Sequence, residues 1–263
     1  MAERVGPERH GIKTATTIRA IMYNGKKVTV IFPAYNEETG IYDAVTSFLS
    51  EETVDEVIVI DNNSIDGTAA QAVRGGALVL PEPRQGYGFA LRRGLKEACG
   101  DLIILCEPDG TFIARDVNKL LPYSQDFEMV LGTRTNPHLI WDNANMGWFL
   151  RVGNLLVAKL QEFLFNGPSL TDCGCTFRLL SRAARDQIQE DLTVGGSHFL
   201  PEVVILALQR GISLIEIPLN YRGRVGKSKI TGSWRGVWVT GMNMIKLIFQ
   251  YRFGFPPRKN PLD

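Results

Sequence analysis

Asp101-Leu102-Ile103-Ile104-Leu105-Cys106-Glu107-Pro108-Asp109-Gly110-Thr111 decides how the rest of this chain is read. Its first half is a run of apolar residues, the pattern of a buried strand, and its second half is built of turn formers. A strand ending at Leu105 leaves Glu107 and Asp109 two residues apart at the C-terminal edge of a sheet. Open α/β sheets bind their ligands at that edge. Two hard oxygen ligands under an open edge suit a Mg2+ or Mn2+ that also holds a diphosphate, and so an enzyme acting on a nucleotide-activated substrate. The plainer reading is a turn, since Pro, Asp and Gly all favour one. On these residues alone the two readings stand level.

Working outward, apolar runs alternate with helical patterns. Val28–Phe32 reads as a strand, followed by a helix over Thr39–Leu49 with Ile41, Val45, Phe48 and Leu49 on one face. Val57–Ile60 is a second strand, then the turn Asp61-Asn62-Asn63-Ser64 and a helix from Thr68. Ala77–Leu80, a helix over Tyr87–Ala98, Leu102–Leu105 and Met129–Leu131 continue the series. This alternation predicts an α/β fold, a mostly parallel central sheet flanked by helices, with right-handed crossovers. Beyond Gly132 come a helix near Met146–Phe165, a Cys/Gly-rich segment, a helix over Pro201–Arg210 and a strand over Leu214–Ile217. They read as the acceptor half of one continuous domain.

The 263 residues, 44% of them hydrophobic, can bury one sizeable core. A net charge of +1 gives no global field for nucleic acid. Cys99 and Cys106 lie in apolar runs and are expected to be buried, and Cys173-Gly174-Cys175 is too tight for an ordinary zinc pair. With no disulfide framework, a reducing, cytoplasmic setting fits. The N-terminal residues carry Arg4, Arg9, Lys13 and Arg19 without an apolar segment, unlike a secretory signal. No run reaches the ~18–20 apolar residues of a spanning helix. Trp234–Phe249 reads as an amphipathic helix with Trp234, Val237, Trp238, Met242, Ile245 and Phe249 on one face. It either packs on the body of the domain or lies in a membrane interface, the second favoured by the Trp pair and by Arg252, Arg258 and Lys259.

The first strand–helix junction, Pro33-Ala34-Tyr35-Asn36-Glu37-Glu38, has neither the GxGxxG of a dinucleotide fold nor a GxxxxGK[ST] loop. Gly86-Tyr87-Gly88 follows the third strand and is weak evidence for either.

In order, the motifs resemble family 2 glycosyltransferases of the GT-A fold, and within them the dolichol-phosphate (polyprenyl-phosphate) mannose and glucose synthase branch. They are Val30–Glu38, Val59–Thr68, Gln85–Ala90, Glu107-Pro108-Asp109, Gly132-Thr133-Arg134, Asp172 with Thr176-Phe177-Arg178, Phe199–Glu202 and Arg224–Lys229. The resemblance runs from about Val28 to Tyr251. It implies an N-terminal tail (1–23), a glycosyltransferase domain (24–232) and an amphipathic helix with a basic tail (233–263).

By resemblance, Pro33, Tyr35 and Glu37 hold the base and ribose, Asp61 and Asn62 read the base edge, and Ile60 and Pro108 count with them as nucleotide-binding residues. Asn62 stands where the family usually has aspartate. Glu107 replaces the usual first aspartate of the metal motif and Asp109 keeps the second, so both are the expected ligands of Mg2+ or Mn2+. Arg134 is expected to meet phosphate or sugar oxygens. Arg222, Arg224, Ser228 and Lys229, with Lys227 beside them, are expected to hold an acceptor phosphate. For a hydroxyl acceptor, Asp172 is the first candidate base and Glu202 the second; Asp172 has a rival role in orienting Arg178 or the sugar.

The implied reaction is an inverting transfer of a hexose from a UDP- or GDP-sugar to a polyprenyl phosphate at the cytoplasmic membrane face. The protein is then expected to be peripheral or to rely on a membrane partner protein, because the chain stops at Asp263 without transmembrane hairpins. Two alternatives stay open: a soluble hydroxyl acceptor, and a degenerate nucleotide-binding chain without turnover, suggested by Asn62 and Glu107.

Overall fold

The computed structural model describes residues 22–141, 144, 147–224 and 234–257. Seven strands form one sheet: β1 (Val28–Ala34), β2 (Glu56–Asp61), β3 (Leu78–Pro81), β4 (Leu102–Leu105), β5 (Met129–Thr133), β6 (Arg178–Ser181) and β7 (Leu214–Pro218). The helices are α1 (Ile41–Leu49), α2 (Thr68–Arg74), α3 (Tyr87–Glu97), α4 (Val117–Leu120), α5 (Trp148–Phe165), α6 (Arg182–Ile188), α7 (Phe199–Gln209) and α8 (Trp234–Arg252). Met146, expected to open the helix seen as α5, lies outside the described residues.

The strand order is β3-β2-β1-β4-β6-β5-β7. β1 pairs in parallel with β2 and β4, β2 with β3, and β5 with β7. The sheet is thus mostly parallel, as the alternation of elements implied. β6 is the exception, antiparallel to both β4 and β5, and its four residues gave no strand signal between charged Arg178 and Arg182. Because β6 runs backwards, its beginning lies at the edge where β1, β2, β4 and β5 end.

Both faces of the sheet are covered, so β1 and β4 are buried along almost their whole length. Ile31, Ile58, Ile60, Ile103 and Leu105 join α3, α5, α7 and α8 on one face. Val30, Phe32, Val57, Val59 and Ile104 join α1 and α4 on the other. Gly94 lets α3 approach closely, since a Cβ there would stand 2.4 Å from Ile31 Cγ2. Cys106, Cys173 and Cys175 are buried, but Cys99 is exposed, because the chain has already left α3 for the turn into β4.

The helix expected over Trp234–Phe249 is present and carries two apolar faces. Met244, Leu247, Ile248 and Tyr251 are buried in the main core, while Trp238, Val239, Met242 and Phe249 are exposed. The stripe read from the sequence is therefore largely the outer one. No helix among the described residues is long and apolar enough to cross a membrane.

Candidate active site

The ends of β1 and β2 are stitched together by main-chain donors. Ser64 Oγ accepts from Asn36 N at 3.0 Å, Thr68 Oγ1 from Glu37 N at 2.8 Å, and Asn36 Oδ1 from Ile65 N at 2.8 Å. Asn36 adopts a left-handed φ of 53° to turn this corner. The Tyr35 ring is 36% exposed on the rim, and Asp61 ends β2 with Oδ1 accepting from Ser64 N.

Two sequence expectations are corrected here. Ile60 is fully buried in the core below the edge, so its side chain has no access to a ligand. Asn62 is a clamp rather than a base reader. Its amide nitrogen donates to Glu82 O (2.9 Å) and Arg84 O (2.7 Å), and its oxygen accepts from Gly86 N (2.7 Å) and Gln85 Nε2 (3.3 Å). Both ends of the amide are committed to the 82–86 loop, and the residue is 3% exposed.

Glu107 and Asp109 follow β4 at the same edge, with Pro108 buried between them. Asp109 Oδ1 accepts from Thr111 N (3.0 Å) and Thr111 Oγ1 (2.6 Å), so the couplet is also a turn, as the plainer reading had it. Asp109 Oδ2 lies 3.0 Å from Arg224 Nη1, whose Nη2 bonds Glu37 Oε1 at 2.5 Å. Glu107 Oε1 accepts from Thr176 Oγ1 at 3.1 Å. Burial and then the neighbouring Asp109 charge push the Glu107 carboxyl up to about 7, against the pull of Arg134 and Arg224. This concentration of negative charge on hard oxygens fits a divalent cation. Among the described residues no group of three or more His, Cys, Asp or Glu could hold a metal, so protein ligands beyond the couplet are few.

Arg134, just past β5, meets Asp172 as a fork: Nε to Oδ2 at 2.7 Å and Nη2 to Oδ1 at 2.9 Å. Asp172 also accepts from Arg134 N and Gly174 N. Burial alone would raise this carboxyl, but the Arg134 charge and these donors hold it below its ordinary value. The same pairing, against the cost of burial, holds Arg134 well above its own. Asp172 thus orients Arg134, not Arg178. The Arg134 guanidinium lies 5.2 Å over the Tyr221 ring, and Glu216 of β7 accepts from Thr171 N and Asp172 N.

The expected acceptor cluster is only partly visible. Arg222 stacks 4.8 Å over Trp141, and Arg224 reaches the carboxylates of Glu37 and Asp109. Lys227, Ser228 and Lys229 lie outside the described residues. Glu202 does not join the cluster. It is fully buried, accepting from Thr193 N, Thr193 Oγ1, Val194 N and Tyr251 Oη, and braces α7 against α8 and the 193–194 strand of loop.

The comparisons with known proteins give the family and the fold. The family model for glycosyl transferase family 2 matches residues 29–189. An uncharacterized glycosyltransferase of Mycobacterium tuberculosis is 31% identical over 229 residues, 85% of this chain and 99% of the relative. The chain belongs to glycosyl transferase family 2.

Among its relatives, the low-salt glycan biosynthesis hexosyltransferase Agl6 of Haloferax volcanii is 27% identical over 218 residues, covering 80% of this chain and 52% of that protein. Glucosyl-3-phosphoglycerate synthase from M. tuberculosis, solved with Mg2+ and uridine diphosphate, superposes with a TM-score of 0.68. That match covers 89% of this chain and 82% of the other at 22% identity, and at this identity it is a likeness of fold, the GT-A fold expected from the motifs.

Several residues of this glycosyltransferase were given no individual role from sequence. Arg84 is held as a fork on Glu82, with Nε 2.9 Å from Oε1 and Nη2 3.0 Å from Oε2, and stacks 4.7 Å over Phe89. Tyr87 Oη lies 2.6 Å from Thr176 Oγ1, tying α3 to the couplet. Gly86 and Gly88 admit the loop before α7: Gly88 N and Phe89 N donate to Gly195 O, and a Cβ on Gly88 would stand 2.4 Å from Val194 O. The Gly-x-Gly thus serves close backbone packing, in keeping with its place after the third strand and not the first.

Proposed function

We propose that this family 2 glycosyltransferase moves a hexose, with inversion, from a UDP- or GDP-sugar to a polyprenyl phosphate at the cytoplasmic face of a membrane. Glu107 and Asp109 are the residues that would hold Mg2+ or Mn2+, which when bound screens the diphosphate and assists departure of the nucleoside diphosphate. Tyr35 offers a partly exposed ring to stack the base, Glu37 a carboxylate for the ribose hydroxyls, Pro33 the floor beneath them, and Asp61 the base edge. Arg134 supplies a fixed positive charge beside the couplet, where negative charge develops on the leaving group.

The Arg134–Asp172 fork carries the choice of acceptor. A hydroxyl acceptor needs a base with a free oxygen and a suitable pKa. Asp172 has its oxygens engaged and its carboxyl held low, and Glu202 is sealed in the core. A phosphate acceptor is already anionic and needs only positioning, the task assigned to Arg222 and Arg224, with Ser228 and Lys229 beyond them. The outer stripe of α8 supports attachment to a membrane surface. So does a run from Trp234 to Leu262 that holds Arg235, Lys246, Arg252, Arg258 and Lys259 without an acid. A separate membrane partner protein would serve the same end.

The test is acceptor dependence: UDP- and GDP-hexoses with Mn2+, offered detergent-dispersed polyprenyl phosphate or phosphoglyceric acid. Transfer to the lipid phosphate alone, lost without metal, is expected. Transfer only to the soluble hydroxyl overturns the lipid reading. That outcome is the second reading, favoured by the glucosyl-3-phosphoglycerate synthase having been solved with phosphoglyceric acid.

A further inference from the structure

Glutamate at position 107 has one more rotatable bond than aspartate, so a carboxylate at the end of β4 can swing away from a cation unless something tethers it. We propose that Tyr87 and Thr176 form that tether, a two-step hydrogen-bond relay that fixes Glu107 Oε1 and leaves Oε2 for a divalent cation. The proposal rests on the metal role given to the couplet above.

The contacts run Tyr87 Oη to Thr176 Oγ1 at 2.6 Å and Thr176 Oγ1 to Glu107 Oε1 at 3.1 Å. Their direction follows from donor counting. A carboxylate kept ionised by a bound cation only accepts, so in that state the single Thr176 hydroxyl proton points to Glu107 and the Tyr87 phenol donates to Thr176. A chain aligned in one sense strengthens each of its bonds.

Each member is held from behind. Thr176 lies two residues before Arg178, which is paired with Leu105 in the β4–β6 ladder, so the reversed strand delivers Thr176 beside Glu107. Arg178, 1% exposed, donates from Nη2 to Cys175 O (2.5 Å) and from Nη1 to Leu200 O (3.2 Å), pinning the main chain that carries Thr176. Tyr87 opens α3 between Gly86 and Gly88, where the Gly195 carbonyl locks the backbone. Thr176 and Tyr87 are thus positioning residues that act through Glu107.

The test is a calorimetric titration of Mn2+ in the presence of UDP, and separately GDP, on the full chain. Thr176→Val is expected to weaken Mn2+ binding by about 10- to 100-fold, the usual range for a lost partner behind a metal ligand. Thr176→Ser restores it, and Tyr87→Phe gives a smaller loss of the same sign. In a Glu107→Asp background, whose shorter arm falls away from Thr176, the Thr176→Val change is expected to cost little more. A merely structural role would cost the same in both backgrounds, and that result overturns the relay, as does unaltered Mn2+ affinity in Thr176→Val. If Thr176→Val fails to fold, the contrast between Thr176→Ser and Tyr87→Phe decides, and equal affinities in those two overturn it. Absence of Mn2+ uptake by the unaltered chain with either nucleotide overturns the metal reading and the relay with it.

Discussion

Arg224 reaches Asp109 and Glu37 at once, with Nη1 3.0 Å from Asp109 Oδ2 and Nη2 on Glu37 Oε1. A residue expected on the acceptor side thus pairs with the two carboxylates proposed for the donor side. Its guanidinium competes with any cation that Asp109 would bind.

The first prediction follows from that competition. Arg224→Ala is expected to enlarge the rise in melting temperature caused by Mn2+ and UDP, by a few degrees, while transfer falls. A smaller rise than in the unaltered chain would mean that Arg224 helps to hold the donor and does not compete with the cation. Differential scanning fluorimetry with and without both additions reads this directly.

Asp172 and Arg134 are mutually dependent buried charges. Asp172→Ala leaves the guanidinium without its counter-ion and is expected to cost about 3–5 kcal/mol in urea unfolding. Arg134→Lys is expected to lose transfer, since an ammonium cannot match the two-point contact. The depressed Asp172 carboxyl also fixes a sign. Its stabilising contribution is complete above its ordinary value of 3.8 and is lost as pH falls through the lower folded value. Below pH ~4 the acid-unfolding limb is therefore expected to be shallower in Asp172→Asn than in the unaltered chain.

Asn62 is predicted to govern stability and not base choice. Asn62→Asp removes two donors and sets a carboxylate against the carbonyls of Glu82 and Arg84. A loss of about 1–3 kcal/mol is expected. The ratio of UDP to GDP affinity, measured by calorimetry, is expected to stay the same; a switch in that ratio would restore Asn62 as a base reader.

The two faces of α8 separate by their phenotypes. Replacing exposed Trp238, Met242 and Phe249 together by serine is expected to abolish sedimentation with vesicles of anionic lipid while leaving the melting temperature nearly unchanged. Leu247→Ala, on the buried face, is expected to cost about 2–5 kcal/mol. Vesicle binding that survives the triple change would assign the outer stripe to something other than a bilayer.

The couplet at 107 and 109, the alternating strands and the run of motifs were legible because each is local: a few adjacent residues carry the whole signal. β6 was not, because four residues starting with arginine carry no strand pattern, and it is pairing with β4 and β5 on either side that makes Arg178–Ser181 a strand. Asn62 looked like an altered base reader since nothing nearby in sequence reveals that its partners lie 20 or more residues on, at Glu82, Arg84 and Gly86. The Arg134–Asp172 fork spans 38 residues and was equally invisible, although each residue had been marked singly. Helix periodicity found the apolar stripe of α8 but could not say which side faced water, because both sides are apolar.

The reversed direction of β6 has a consequence for chain length. Alternate side chains of a strand point to opposite faces, so deleting or inserting one residue between Thr176 and Arg178 would turn the hydroxyl away from Glu107 while leaving every residue type intact. Spacing in that short lead-in is constrained as tightly as identity, and homologues carrying an indel there are expected to have lost the glutamate as well.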